Sequence, residues 1–174
     1  MKKMKNTSRK LAILLALAMT ACGYGFRHQQ SNLPPEIKTI AIPMFENKTN
    51  EVRLEALVTE QVRYQFSQSQ ILRLVSEDQA DVILRGQIIS VSSGDVSLTE
   101  STRSQVRRVS VGISVKLVRK DNNEILYDGR ARQWRTYTVS ANDVTSTQTA
   151  RNEALRLVVR DAAQIIHDGA LQNF

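Results

Sequence analysis

The sequence predicts an α+β fold: a four-stranded, mostly antiparallel sheet with two helices packed on one face, in the order β-α-β-β-β-α. Three observations predict it. Within residues 104–120, Val109, Val111, Ile113, Val115 and Leu117 alternate with Ser110, Gly112, Ser114 and Lys116, which is the period of a half-buried strand. Two other stretches, 51–69 and 146–168, carry apolar residues at helical spacing instead. Asp121, Asn122 and Asn123 form a turn signal between two strand-like runs, which suits an antiparallel meander.

The chain begins with a leader. Its first ten residues hold Lys2, Lys3, Lys5, Arg9 and Lys10 and no acid, and residues 11–19, LAILLALAM, are uninterruptedly apolar. Nine helical residues span only about 14 Å, far short of a bilayer core, so residues 1–21 are expected to be a cleaved signal peptide. The leader ends Met19-Thr20-Ala21-Cys22, which resembles a lipobox: small residues enter a narrow protease cleft, and Cys22 supplies the thiol that takes the lipid. Cleavage after Ala18 would leave a five-residue apolar region and strand a free thiol in an oxidising compartment. Gly23, rather than Asp, follows Cys22 and favours the outer membrane. Residues 22–36 are expected to be a lipid-anchored tether without periodicity, and residues 37–174 a single α+β domain.

Within that domain the first strand is expected at 37–43, ending at Pro43. The loop FENKTNE follows, with Asn50 as N-cap of a helix over 51–69. Its face is Leu54, Leu57, Val58, Val62 and Phe66, and Glu51, Glu55 and Glu60 suit the positive end of the helix dipole. Strand two is expected over 81–92, with a bulge at Gly86. Strand three covers 104–120 and strand four 124–139. The second helix covers 146–168, with His167 as a cation in its last turn and Gly169 as C-cap. Leu57 and Ile113 are expected to be packed core positions.

Composition excludes several functions. The net charge is +7, but five of the 24 bases lie in the leader; the remaining 19 face 17 acids, so bulk charge supports no nucleic-acid partner. One cysteine allows no internal disulfide, and with His28 and His167 far apart it makes no metal-ligand spacing. No nucleophile is framed by a base, no glycine-rich loop precedes a helix, and Glu77, Asp78 and Asp81 read as solvated loop charges. The expectation is a protein with no catalytic residues, no metal and no cofactor; a lipid-anchored hydrolase is the enzymatic alternative, and it lacks a framed nucleophile.

One constellation emerges from pairing. If a three-residue loop at 121–123 joins strands three and four, Leu117 faces Tyr127, Val115 faces Gly129 and Ile113 faces Ala131 on the core side. On the other side Lys116 faces Asp128, Ser114 faces Arg130, Gly112 faces Arg132, Ser110 faces Trp134 and Arg108 faces Thr136. A slip of one residue would turn every Val and Ile of strand three outward. The outer face then gathers Arg108, Arg130, Arg132 and Trp134. It is either a solvated sheet face or a surface for an anionic ligand or a partner, since guanidiniums fork onto phosphates.

Three stretches carry a resemblance: CGYGF at 22–26, LPPEIKTIAIPMFENKTNE at 33–51 and ADVILRGQI at 80–88. Together they resemble the lipopolysaccharide-assembly lipoprotein family LptE, over essentially the whole mature chain. The resemblance implies a non-enzymatic outer-membrane lipoprotein on the periplasmic face. It would plug and help assemble an LptD-type β-barrel and bind lipopolysaccharide through basic residues. Arg108, Arg130 and Arg132 are geometric candidates for that role, not positions carried over from the family. A strand followed by FEN and a helix is also similar to curli-secretion and peptidoglycan-synthase-activator lipoproteins, so a scaffold or activator is the alternative.

Overall fold

The computed structural model describes residues 33–97, 104–140 and 143–172. The leader, Cys22 and residues 23–32 of the tether lie outside them. The elements are β1 (Thr39–Ala41), β2 (Glu46–Asn47), α1 (Leu54–Ser69), β3 (Arg73–Leu74), β4 (Val82–Ser97), β5 (Ser104–Arg119), β6 (Ile125–Ser140) and α2 (Val144–Gln172). The sheet therefore has six strands, not four, ordered β3-β1-β4-β5-β6 with β2 also paired to β4. The long strands β4, β5 and β6 are antiparallel, whereas β1, β2 and β3 join by parallel pairing.

Both helices feed one core. Leu54, Val58, Val62 and Phe66 of α1 and Val158, Ala162 and Ile166 of α2 share a buried cluster with Leu84, Ile113 and Val115 of the sheet. Each such Val, Leu, Ile or Phe side chain contributes about 1.5–3 kcal/mol relative to exposure. Leu57 is only partly buried beside that cluster, while Ile113 is fully buried. The core also takes in Leu33, and Glu36 accepts a 3.1 Å hydrogen bond from Arg119. The last residues assigned to the tether thus pack on the domain.

Several local expectations are corrected. Helix α1 starts at Leu54, not at residue 51, and the residue before it is Arg53 in a left-handed conformation (φ 64°) without a side-chain cap. Asn50 does not cap it. Asn47 organises the loop instead, donating to the Glu51 carbonyl (2.7 Å) and the Glu55 carboxylate (3.0 Å). Glu51 is left outside the helix, where it takes both guanidinium nitrogens of Arg151 on α2, at 2.9 and 2.6 Å. Gly86 is not a bulge, because it pairs in register with Val115; the register shifts between Ile88 and Ser90 instead, and again between Asp95 and Ser97. A Cβ at residue 86 would lie 2.2 Å from the buried Phe45 ring, so the glycine makes room for that ring.

Helix α2 begins two residues earlier than expected, with Asp143 Oδ1 accepting from Ser146 N at 2.9 Å as an N-cap does. It runs through Gly169 to Gln172, so Gly169 is no C-cap. His167 does not stand exposed at the helix end. It is 4% exposed, packs edge-on against Phe66 with ring centres 4.9 Å apart, and bonds Asp168 at 2.9 Å. Asp81 stays exposed, as expected of a loop charge, but it is not idle: it accepts hydrogen bonds from Lys38 N, Thr39 N and Thr39 Oγ1.

Candidate ligand-binding face

The β5–β6 register is the one that the alternation demands. Leu117 lies opposite Tyr127, Val115 opposite Gly129 and Ile113 opposite Ala131 on the helix side. On the outer side Lys116 faces Asp128, Ser114 faces Arg130, Gly112 faces Arg132, Ser110 faces Trp134 and Arg108 faces Thr136. The turn itself differs. Val118 pairs with Ile125, leaving Leu126 as a bulge, and Arg119 N donates to the Glu124 carbonyl at 2.8 Å. Residues 120–123 then form the connection, with Asn123 left-handed at φ 57°. The bulge absorbs the longer loop and restores the parity the core needs.

Arg108, Arg130 and Arg132 are all exposed on this outer face. Asp128, Arg130, Arg132, Trp134 and Thr136 form one row along β6, at about 7 Å per step of two residues. The Arg108 guanidinium lies over the Trp134 ring, 4.2 Å from its centre, which stacks the cation on the electron-rich face. Lys116 is paired with Asp128 at 3.5 Å. The Arg130 and Arg132 side chains, by contrast, have no ion-pair or hydrogen-bond partner among the described residues. Two neighbouring forked donors without counter-ions are the part of this face most suited to a phosphate. Arg107, next to Arg108 in sequence, points to the helix side and bonds Asp95 at 2.7 Å; that carboxylate holds its guanidinium further above its ordinary value.

The strand β4 completes the face, and two-strand reasoning missed it. Arg85 pairs with Lys116, Gln87 with Ser114, Ser90 with Gly112 and Ser92 with Ser110. The Ser92 and Ser110 hydroxyls are hydrogen-bonded at 2.7 Å. The signal was present in the sequence: apolar parity switches from Val82, Leu84 and Ile88 to Val91, which is what a one-residue bulge produces. Gly112 keeps the centre of the face shallow, since a Cβ there would sit 2.5 Å from Ser90 Oγ. Among the described residues no helix is long and apolar enough to cross a membrane.

No curated protein matches the chain. Among solved structures it is similar to a Xanthomonas campestris protein, with TM-score 0.54 and 10% identity over 82% of this chain and 90% of that one. It is also similar to a PelC dodecamer structure from Paraburkholderia phytofirmans, with TM-score 0.53 and 10% identity over 82% and 95%. A lipoprotein from Caulobacter crescentus gives TM-score 0.46 and 21% identity over 71% and 85%. At such identities the first two likenesses speak to fold alone, and the third carries no argument. A sequence-family model adds what the folds cannot: the model described as LptE, lipopolysaccharide-assembly, matches residues 37–168. With most of the domain covered by that match, the chain belongs to the LptE family of lipopolysaccharide assembly.

Proposed function

We propose that this protein is a lipid-anchored lipoprotein on the periplasmic face of the outer membrane. It plugs and helps assemble an LptD-type β-barrel, and it binds lipopolysaccharide on the outer face of its own sheet. The observation that carries the ligand part is the unpaired Arg130–Arg132 row beside the Arg108–Trp134 stack, on a chain of the lipopolysaccharide-assembly family.

The mechanism is binding, not bond-making. Guanidiniums fixed on rigid strands offer forked donors at a set spacing, and phosphates on the lipid A headgroup would accept them. The contacts are solvent-exposed and screened over about 8–10 Å, so binding is reversible, as delivery to another leaflet requires. Attachment through Cys22 leaves ten residues before Leu33, at most about 36 Å of extended chain. The domain is thereby held close to the membrane that contains its barrel. The partner half of the reading is tested by purifying the full chain from outer membranes in mild detergent. Recovery of a large β-barrel in constant ratio supports it; recovery of the lipoprotein alone overturns it.

A further inference from the structure

The outermost long strand of the sheet is unusually open. Strand β6 spans 16 residues, Ile125–Ser140, and among the described residues its ladder is with β5 alone, apart from one bridge from Ser140 to Asp143. From Tyr127 onward its pairing is continuous, without another bulge, and it contains no proline. Among the described residues no backbone hydrogen bond reaches its other side between residues 125 and 139. The opposite edge of the sheet is β3, only two residues long. Long, regular, unpaired edges are templates for another strand, and folded proteins normally shorten, bulge or cover them.

The side chains along β6 say what kind of strand would fit. On the outer face Arg130 and Arg132 lack counter-charges among the described residues. A second copy paired antiparallel about this stretch would bring arginines opposite arginines, which is destabilising. On the helix side Arg135 bonds Asp161 of α2 at 3.0 Å. One turn beyond Asp161, Ile165 is 40% exposed on the same flank of the helix. An added strand would thus meet cations on one face and an uncovered aliphatic side chain on the other.

The geometry points to the free edge of β6 as a strand-addition site for an extended protein segment that alternates acidic and apolar residues. Backbone hydrogen bonds to β6 supply affinity, acids opposite Arg130 and Arg132 supply selectivity, and apolar residues cover Ile165. This goes beyond the lipopolysaccharide reading, because it uses the backbone edge and shares with that reading only the two guanidiniums.

Trp134, the chain's single tryptophan, sits half-exposed on β6 and reports directly on the strand. The probe is a twelve-residue peptide alternating valine and glutamate, titrated into the full chain in mild detergent at low salt. A saturable change in Trp134 fluorescence is expected. Because a strand pairs through the N–H groups of alternate residues, N-methylating all the valines or all the glutamates should weaken binding at least tenfold in one of the two peptides. A valine–lysine peptide should also bind at least tenfold more weakly than the parent. No saturable signal, parent-like affinity of both N-methylated peptides, or equal binding of the lysine peptide would overturn the proposal. None of the methylated-peptide outcomes depends on whether lipopolysaccharide binds.

Discussion

Asp81 and Thr39 hold each other across the start of the β1–β4 pair. The Asp81 carboxylate accepts from Thr39 N at 2.9 Å and Thr39 Oγ1 at 2.8 Å, and Asp81 N donates back to Thr39 Oγ1 at 2.9 Å. Lys38 N adds a further bond at 2.9 Å. The parallel strand β1 is only three residues long, so this cluster anchors it where ladder bonds are few.

The hydrogen bond from Lys38 N, followed by that from the Thr39 hydroxyl, holds the Asp81 carboxyl below its ordinary value of 3.8. A depressed folded-state pKa contributes stability that is complete above the unfolded value and is lost as pH falls through the folded one. Urea unfolding of wild type and Asp81→Asn should therefore converge as pH falls below about 4, wild type being the more stable at neutral pH. Thr39→Val should cost about 1–2 kcal/mol at pH 7 through its lost hydroxyl bonds. A constant gap between wild type and Asp81→Asn at all pH values would show that the carboxylate charge is not what matters.

Gly86 and Phe45 form a second specific fit. Gly86→Ala places a methyl group 2.2 Å from a ring that is itself 2% exposed and has little room to swing away. Overpacking of this kind costs about 1–3 kcal/mol, and Phe45→Ala should cost about 3–5 kcal/mol. In Gly86→Ala/Phe45→Ala the methyl group no longer clashes, so the double variant should be no less stable than Phe45→Ala. Additive losses in that cycle would disconnect the two residues.

The core positions separate by burial. Ile113→Ala should destabilise by about 2–5 kcal/mol, since Ile113 is fully enclosed. Leu57→Ala should cost less, because the side chain is only partly covered by the same cluster. Chemical denaturation of both variants gives the order directly, and a larger loss at Leu57 would contradict the packing described.

The proposed anchoring rests on Cys22. Cys22→Ala should abolish metabolic labelling with palmitate and leave the chain uncleaved or soluble, since no other cysteine exists. Labelling that persists in this variant would remove the lipid from the account.

How much of this was legible depended on how local the cause was. The β5–β6 register was legible because only one parity buries Val109, Val111, Ile113, Val115 and Leu117 together. That parity placed Arg108, Arg130, Arg132 and Trp134 on one face before any coordinates. Strands β2 and β3 were not legible: two residues each carry no periodicity, and both exist through parallel pairing to distant segments. Gly169 resembled a helix stop, yet a Cβ there would sit 2.3 Å from the Tyr127 hydroxyl, so it serves close packing inside the helix. His167 resembled a helix-end cation because sequence does not reveal that Phe66 lies against it. The partnerless state of Arg130 and Arg132 was likewise invisible, since it depends on where every carboxylate ends up.

The central claim is that the arginine row on β6, with Arg108, binds lipopolysaccharide. The direct measurement is binding of purified lipopolysaccharide to wild type and to Arg108→Ala/Arg130→Ala/Arg132→Ala, with melting temperatures taken on the same samples. These strand positions are exposed, so each substitution should change stability by no more than about 0.5 kcal/mol. Binding is expected to be at least tenfold weaker in the variant, with a wild-type affinity that falls as salt rises and melting temperatures that agree closely. Equal binding at equal melting temperature would contradict it and return the three arginines to a solvated sheet face.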